Sequence, residues 1–310
     1  MPELEPIPVI CGPTGSGKTS VAVGLAASFP IEVISADSRQ IIRHLNIGTA
    51  KPTPAEQEAV RFHLIDIVEP GDRYSAYQFI EDCDRAVESI LERGHIPVVV
   101  GGTGLYLRAL TEGVIEVDDS DSTVRERLET EMDREGPEAM YARLTEVDPE
   151  EGARTHANNR VRVIRALEIF ELTGRPKSEL TCSGAYKRSR YEYSLHCLQQ
   201  DRESLYDRIN RRVDQMLADG LVGEVEKLVA DGLRGRLREA RVIGYDEILD
   251  YLDGRASLDE AVESIKQNSR RYAKRQITWF RHQAECEYYD NPARMSRFLL
   301  IELERFRESV

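Results

Sequence analysis

One eight-residue segment constrains the fold of this chain more than any other. Residues Gly12–Thr19 fit the pattern G-x-x-x-x-G-K-[ST] in full, and they lie between an apolar run at Val9–Cys11 and a helical pattern at Ser20–Phe29. A glycine-rich turn between a strand and a helix directs backbone amides and the positive end of the helix towards an anion. The predicted diphosphate-binding residues are Gly12, Pro13, Thr14, Gly15, Ser16, Gly17, Lys18 and Thr19.

The residue types of this loop suit a diphosphate and its counter-ion. Gly15 and Gly17 let the backbone turn its N–H groups inwards because no Cβ blocks the turn. Lys18 places a charge on the outer phosphate, and the Thr19 hydroxyl suits Mg²⁺, which keeps most of its waters and takes few protein ligands. The loop does not identify the diphosphate. A nucleotide-binding, ATP-using kinase or NTPase is the default class, and an enzyme that handles another diphosphate is the alternative.

Strand and helix patterns alternate through the first third of the chain. Strands are predicted at Ile31–Ala36, His63–Val68 and Pro97–Val100, and a long helix over Ala76–Arg93 separates the last two. Strands separated by helices form a parallel sheet with crossover connections. We therefore expect an α/β fold like that of P-loop NTPases, with helices on both faces of the sheet.

The pattern changes after Gly113. An acidic linker leads into helical patterns with no strand signal, and Tyr191–Leu198 then resembles a strand that rejoins the sheet. The helical patterns lie at Thr123–Glu135, Glu138–Glu146 and Arg160–Leu172. We predict an inserted all-helical domain over 118–190 and a catalytic core made of 1–117 and 191–310.

Two helix starts are readable in the second part of the core. Ser257–Glu260 is a capping box that begins a long helix ending near His282, and Asn291-Pro292 begins the last helix with Asn at the N-cap and Pro at the first helical position.

The composition is that of a globular protein without a membrane partner. Hydrophobic residues make up 41% and charged residues 31% of the 310 residues, and no apolar run approaches the roughly 20 residues of a membrane-spanning helix. The five cysteines show no C-x-x-C pair, and the N-terminus shows no signal peptide. We expect a cytoplasmic protein with free thiols.

The net charge of −13 argues against a nucleic-acid partner. Phosphate binding follows the local electrostatic field, however, and basic residues cluster in Arg154–Arg165 and Arg270–Arg281.

Asp37 follows directly after the strand predicted at Ile31–Ala36. In open α/β sheets, ligands bind at the carboxyl edge, where this residue would lie. Asp37 would be either a partner of Mg²⁺ or an acceptor of a proton from a nucleophile, and the spacing alone does not choose between these roles. A helix cap or turn former is a third interpretation.

Several further segments resemble the tRNA dimethylallyltransferases (isopentenyltransferases) of the bacterial type, in order from about Val9 to Arg281. The matching segments are Asp37–Gln40, Gly48–Pro52, Val99–Tyr106, Asn159-Arg160 with Arg162 and Arg165–Glu168, Arg241–Tyr245 and Lys274–Arg281. The resemblance implies transfer of a dimethylallyl group from dimethylallyl diphosphate to N6 of the adenine 3′ to the anticodon in tRNA. It implies that the loop holds a prenyl diphosphate with Mg²⁺.

The resemblance also implies roles for single residues. Asp37 becomes the candidate base for the adenine amine, while Lys18, Thr19 and Arg241 stabilise the charge that develops on the leaving diphosphate. Thr103 contacts the nucleotide near the reacting centre, or else it caps the helix predicted at Gly104–Leu110. Residues Ser38, Arg39 and Gln40 are placed to read the extruded base.

Contacts with tRNA are assigned in the same way. Arg162 and Arg165 are three residues apart and share one helix face, which is either a solvated basic face or a binding surface for anticodon-stem phosphates. The residues assigned to tRNA binding are Asp37, Ser38, Arg39, Gln40, Thr103, Arg125, Val161, Arg162, Val163, Ile164, Arg165, Arg241, Lys274 and Arg275. Trp279 and Phe280 are interpreted as core residues rather than a stacking platform. We expect the protein to act as a monomer.

The sequence departs from the family pattern at Ile42, where an aromatic residue is usual, and this puts a stacking role at that position in doubt. No Cys or His follows Cys286, which favours the bacterial type over eukaryotic members that have a zinc finger. Besides the kinase or NTPase, a non-catalytic RNA-binding module remains as an alternative.

Overall fold

The computed structural model describes residues 4–115, 117, 123–184 and 186–309. Its strands are β1 (Ile7–Cys11), β2 (Ile31–Ala36), β3 (Phe62–His63), β4 (Ile96–Gly101), β5 (Val114–Ile115), β6 (Tyr186–Lys187), β7 (Tyr193–Leu198) and β8 (Glu287–Tyr289). Its helices are α1 (Lys18–Ala26), α2 (Pro54–Ala59), α3 (Ala76–Glu92), α4 (Gly104–Glu112), α5 (Thr123–Glu135), α6 (Pro137–Val147), α7 (Pro149–Arg154), α8 (Arg160–Thr173), α9 (Lys177–Ser183), α10 (Arg202–Ala218), α11 (Leu221–Ala230), α12 (Arg234–Ala240), α13 (Tyr245–Leu252), α14 (Leu258–Gln283) and α15 (Pro292–Ser309).

The chain forms two compact units. Residues up to Glu112 and from Ser189 onwards form the core unit, and Gly113–Arg188 form the inserted unit. The core unit contains a six-stranded sheet in the order β3-β2-β4-β1-β7-β8, and every neighbouring pair is parallel. The parallel α/β architecture expected from the sequence is therefore confirmed. β1 is fully buried along its length, as expected for a central strand covered on both faces.

The strand predicted at His63–Val68 is wrong. Only Phe62–His63 pairs with β2, and Leu64 and Asp66 have positive φ angles of 58° and 55°, which break the extended chain. The side chain of Asp66 accepts a hydrogen bond from the buried ammonium of Lys51, so the sharp turn is tied to the preceding loop.

The inserted unit packs its helices around an apolar core made of Leu128, Met132, Met140, Leu144, Val163, Ile164, Ala166 and Leu167. The unit is not all-helical as predicted, because β5 and β6 pair in antiparallel fashion. Two residues on each side are too few to show strand alternation in a sequence. The unit also begins and ends at Gly113 and Arg188 rather than at 118 and 190. The predicted acidic linker falls mostly outside the described residues.

Both predicted helix starts in the second part of the core unit are confirmed. Ser257 and Glu260 form a complete capping box at the start of α14, and the side chain of Asn291 accepts a hydrogen bond from the amide of Ala293 at the start of α15. Across the described part of the chain, none of the helices combines the length and apolar character needed to span a bilayer.

Candidate functional site

The phosphate loop connects β1 to α1 at the carboxyl edge of the sheet. Its glycines have positive φ angles, 139° at Gly12, 79° at Gly15 and 99° at Gly17, so the predicted turn is present. A Cβ at Gly12 would lie 2.5 Å from the carbonyl oxygen of Leu198 at the end of β7, so this position requires glycine. The loop residues that border a cavity are Thr14, Gly15, Gly17, Lys18 and Thr19. The remaining three, Gly12, Pro13 and Ser16, are buried.

Lys18 lies along the inside of the loop. Its Nζ donates hydrogen bonds to the carbonyl oxygens of Gly12, at 3.0 Å, and Pro13, at 2.9 Å. Burial lowers the pKa of Lys18 to about 8, although the charge of Asp37 acts in the opposite direction. Among the residues that the structure describes, Lys18 has no carboxylate at ion-pair distance. This ammonium group therefore borders the cavity with neutral partners, which favours an anionic ligand.

Helix α10 adds two cations that the sequence analysis missed. Arg212 Nη1 donates to Thr14 Oγ1 at 3.2 Å, and burial lowers the pKa of Arg212. The guanidinium of Arg208 lies beside Gly17, where a Cβ would come within 3.1 Å of Nη2. Arg208 and Arg212 are four residues apart and so share one helix face. That spacing is visible in the sequence, but only the fold brings the face to the loop.

The space above the loop, which we call the loop cavity, has a volume of about 350 Å³. Lys18, Arg208 and Arg212 border it with Thr19 and Asp37. No group of three or more His, Cys, Asp or Glu side chains is arranged to hold a metal within the described ranges. A hydroxyl and one carboxylate nevertheless fit Mg²⁺, because this ion binds through few protein ligands together with waters and phosphate oxygens.

A second space, the adjoining cavity, has a volume of about 210 Å³ and shares Thr14, Asp37, Thr49 and Arg212 with the loop cavity. Its apolar lining consists of Ile209, Val213, Met216, Val242, Ile243 and Ile265. Its polar lining includes Arg39, Arg241, Ser269, Tyr272 and Arg275. Asp37 thus borders the loop cavity on one side and, on the other, a cavity that combines an aliphatic wall with several arginines.

The carboxylate of Asp37 is held by the turn that follows β2. Its Oδ1 accepts a hydrogen bond from the amide of Arg39 at 2.8 Å and a longer one from the amide of Gln40 at 3.4 Å. Its Oδ2 has no hydrogen-bond partner in the part of the chain that the structure covers. One oxygen is therefore fixed by the backbone, and the other is available to a ligand.

Thr103 joins the ends of β4 and β2. Its amide donates to the carbonyl oxygen of Ala36 at 3.2 Å, and its Oγ1 accepts from the amide of Ser38 at 2.9 Å. The hydroxyl thus bonds to the segment beside Asp37, while the backbone carbonyl of Thr103 accepts from amides of the first turn of α4. Burial, together with the charge of Asp37, raises the pKa of the nearby Tyr272 to about 12.

The side chains of Arg39 and Gln40, which follow Asp37, differ in whether they can reach a ligand. Gln40 accepts from Ser35 Oγ at 3.0 Å and donates to the carbonyl oxygen of Ala50 at 3.0 Å, so its amide supports the loop instead of being free for the base-reading role predicted for it. Arg39 Nη1 donates to the carbonyl oxygen of Ala240 at 3.0 Å and borders the adjoining cavity.

The basic residues predicted around the site fall into two places. Arg241 adopts a left-handed backbone conformation, with φ of 48°, and borders the adjoining cavity. It does not border the loop cavity, although the prediction placed it against the diphosphate there. Arg275 lies over the ring of Tyr272 at 5.6 Å and borders the same cavity. Lys274 borders a separate groove beyond it.

Within the inserted unit, the predicted tRNA-binding run on α8 divides by burial. Val163 and Ile164 are buried in the core of the unit, so their side chains serve packing and are not exposed to an RNA ligand. Val161 is 67% exposed, and Arg162 is also exposed. The predicted Arg125 and Arg165 both form ion pairs with the buried carboxylate of Glu168, at 3.6 Å and 2.8 Å, because a buried carboxylate requires a cationic partner.

Gln276 on α14 holds the site together and was not singled out by the sequence analysis. Its buried amide accepts from the amide of Thr14 at 2.8 Å and donates to the carbonyl oxygen of Gly102 at 2.8 Å.

The two neighbouring aromatic residues of α14 differ in burial. Phe280 is a core residue as predicted, whereas Trp279 is half-buried and packs on the backbone of Gly104.

Comparison with known proteins gives consistent matches over most of the chain. The family model described as "IPP transferase" matches residues 40–283, and the model described as "Isopentenyl transferase" matches residues 6–69. A "tRNA dimethylallyltransferase 1" of Pelobacter propionicus is 44% identical over 298 residues, covering 96% of both chains. A "tRNA dimethylallyltransferase" of Geobacillus kaustophilus is 47% identical, covering 92% of this chain and 90% of the relative.

Solved structures give the same result. The tRNA isopentenylpyrophosphate transferase of Bacillus halodurans is 40% identical, with a TM-score of 0.67, and the match covers 98% of both chains. A eukaryotic dimethylallyltransferase described as acting on tRNA is 31% identical, with a TM-score of 0.77, covering 89% of this chain and 70% of that one.

Proposed function

The chain belongs to the family of tRNA dimethylallyltransferases, and on this premise we propose that it transfers a dimethylallyl group from dimethylallyl diphosphate to N6 of the adenine 3′ to the anticodon in tRNA, releasing diphosphate. The observation that carries the proposal is the position of Asp37, which borders both the loop cavity and the adjoining cavity. A base at this junction can act on a nucleophile in one cavity while a leaving group sits in the other.

The loop cavity suits the prenyl diphosphate. The loop amides, Lys18, Arg208 and Arg212 provide the positive charge that a diphosphate requires, and these cations have no carboxylate partner in the described residues. We propose Mg²⁺ as the cofactor, held by Thr19 with Asp37 nearby and by the phosphates. When bound, Mg²⁺ supplies further charge to stabilise the leaving diphosphate.

The adjoining cavity suits the target adenine. Its apolar residues, such as Met216 and Ile265, offer flat contact to a base that has left its stack, and its arginines suit the flanking phosphates. Extrusion costs little in a single-stranded anticodon loop. We propose that Arg39, Arg241 and Arg275 position the nucleotide rather than the diphosphate.

The transfer step follows from this arrangement. The N6 nitrogen of adenine attacks the allylic carbon of the prenyl group, the new C–N bond forms, and the bond from that carbon to the bridging oxygen breaks. Asp37 Oδ2, which is free in the structure, accepts the N–H proton. The electron pair of the broken bond goes to the diphosphate, whose charge Lys18 and Arg212 stabilise.

The test mixes labelled dimethylallyl diphosphate, Mg²⁺ and undermodified tRNA with the protein and with Asp37→Asn. We expect label transfer by the wild type and a rate loss on the order of 10²–10⁴-fold in the variant, because general base catalysis typically contributes this much. The matched carboxylate control is Glu226→Gln on the exposed face of α11, which should transfer at the wild-type rate. Wild-type ATP turnover without label transfer would support the kinase or NTPase class, and a normal rate in Asp37→Asn would exclude the assigned base.

A further inference from the structure

Three cysteines that are far apart in the sequence come together at the base of the phosphate loop, and we call them the thiol cluster. Cys11 ends β1, Cys197 lies on β7, and Cys286 lies between α14 and β8. Cys11 and Cys197 occupy paired positions on neighbouring parallel strands, so their side chains share one face of the sheet. The thiol of Cys286 interacts with both of them. None of the roles proposed above uses these thiols.

The members of the thiol cluster differ in their access to solvent. Cys11 and Cys197 are buried, whereas Cys286 is partly exposed. Burial raises the pKa of Cys11, but hydrogen bonds from Cys11 and Cys197 lower the pKa of Cys286 against the effect of its own burial. A thiol reacts as its thiolate, and oxidation follows thiolate character and exposure. Cys286 is therefore the member that an oxidant from solvent would attack first.

The arrangement of the thiol cluster is that of a redox site rather than that of a metal centre. Its cysteines are unbonded, and the described ranges contain no set of three or more His, Cys, Asp or Glu side chains placed to hold a metal ion. Redox-sensing cysteines are accessible and lie next to a second cysteine that can resolve the oxidised form. A disulfide made in this way in a reducing compartment is transient.

Two strand ends connect the thiol cluster to the phosphate loop. Cys11 is followed by Gly12, whose carbonyl oxygen accepts a hydrogen bond from Lys18 Nζ at 3.0 Å. Cys197 is followed by Leu198, whose carbonyl oxygen would lie 2.5 Å from a Cβ at Gly12. A disulfide requires its two sulfurs to come closer than unbonded thiols can, so the backbone next to them must move. That backbone holds the start of the phosphate loop in place.

We propose that Cys286 is an oxidation site, where a hydroperoxide generates a disulfide between Cys286 and either Cys11 or Cys197, and that this disulfide disables the phosphate loop. The formation of the disulfide does not depend on the proposed function, whereas its effect on prenyl transfer does.

The oxidation proceeds in two steps. The Cys286 thiolate attacks one peroxide oxygen, the O–O bond breaks, and the sulfur becomes a sulfenic acid while the other oxygen leaves and takes up a proton. The buried thiol then loses its proton and attacks the sulfenic sulfur, so that an S–S bond forms and water leaves. With hydrogen peroxide, two thiols and one peroxide give one disulfide and two waters. The two sulfurs lose two electrons, and the peroxide gains them.

The first experiment maps the disulfide. The purified protein is treated with hydrogen peroxide, the remaining thiols are alkylated, and linked peptides are identified by mass spectrometry. We expect the peptide of Cys286 to be joined to that of Cys11 or Cys197, and we expect no such link in Cys286→Ser. The matched control is Cys182→Ser, which removes an exposed thiol of the inserted unit and should leave the link unchanged. Recovery of Cys286 as an alkylated thiol, only as a sulfinic or sulfonic acid, or joined to any other cysteine would overturn the proposal.

The second experiment measures the consequence for the loop. Oxidation should lower the transfer rate of the wild type on the order of 10²-fold, because a misplacement of about 1 Å can cost that much, and dithiothreitol should restore the rate. Binding of inorganic pyrophosphate, measured on the same samples, should weaken and recover in parallel. Cys286→Ser should keep the rate of the untreated wild type and should lose none of it to peroxide.

A mapped disulfide that leaves pyrophosphate binding unchanged would overturn the proposed effect on the loop, and so would equal losses in the wild type and in Cys286→Ser. Failure of the proposed function gives a different result. The disulfide would then form and weaken pyrophosphate binding as expected, but the reduced protein would transfer no label to tRNA.

Discussion

Strand β2 has a carboxylate near each end, and the protein treats them in opposite ways. Near the amino end, Glu32 is buried and accepts two hydrogen bonds from Arg93, at 2.9 and 2.7 Å. His63 and His95 lie within 2.5 and 2.8 Å of its oxygens. Every charge in this cluster has a partner of opposite sign or a hydrogen bond, so nothing is left for a ligand.

At the other end of β2, Asp37 has one oxygen on backbone amides and the other free. The nearby cations Lys18 and Arg212 bond to neutral oxygens, and burial lowers the pKa of both. Unpaired and partly buried charge destabilises the folded chain unless a ligand compensates it. The comparison teaches that charged groups paired with opposite charges indicate a structural cluster, whereas charged groups without such partners indicate a binding site. Both kinds of cluster occur here at the two ends of one strand.

The strongest test of this distinction is Lys18→Met. We expect the transfer rate to fall on the order of 10³-fold, since a charge aimed at the leaving group is removed. We also expect the unliganded protein to melt at a higher temperature, because a partly buried ammonium group without a carboxylate partner is removed. Both are measured on one preparation, by label transfer and by thermal unfolding. A lower melting temperature would mean that Lys18 stabilises the fold and would break the comparison.

The sequence predicted the parts of the site that are local. The phosphate loop, the strand before Asp37 and the full span of α5 depend on residues close together in the chain. The polar support of the site depends instead on distant pairs, such as Gln276 with Thr14 and Arg212 with the same residue. No periodicity records which helix face will meet a loop some 200 residues away, so these pairs became visible only in the fold.

The Glu32 cluster illustrates the same limit. An acidic residue within an apolar strand is readable in the sequence, but its partners come from β3, the end of α3 and the segment before β4. The resemblance to a family supplied the roles of residues at the site. It assigned Val163 and Ile164 to tRNA binding together with their exposed neighbours, because a sequence motif does not distinguish buried from exposed positions.

A smaller effect, on stability alone, is expected from Glu32→Gln. Removing the carboxylate leaves Arg93 and its neighbours without a charge partner, and we expect a loss of about 3 kcal/mol in the free energy of unfolding. The transfer rate of the folded enzyme should not change. The matched control is Glu88→Gln. The Glu88 carboxylate pairs with Arg190 at the surface, where both side chains are about half exposed. This substitution should lower the free energy of unfolding by less than about 1 kcal/mol. Urea unfolding measures both variants, and equal losses would show that burial does not distinguish the two ion pairs.

The smallest predicted effect is the response of Glu32 to acid. Burial alone would raise the pKa of Glu32, but its bonds to Arg93 and His63 outweigh that effect and lower the pKa to about 2 from an ordinary 4.5. A depressed carboxyl pKa contributes stability that is present above 4.5 and is lost as the pH falls towards 2. Between about pH 5 and pH 3.5 this group should account for about 1 kcal/mol of lost stability. Glu32→Gln should remove that part of the slope when urea unfolding is measured at each pH. A wild-type slope in Glu32→Gln would show that other carboxylates control acid unfolding and that the paired cluster does not have the structural role assigned to it.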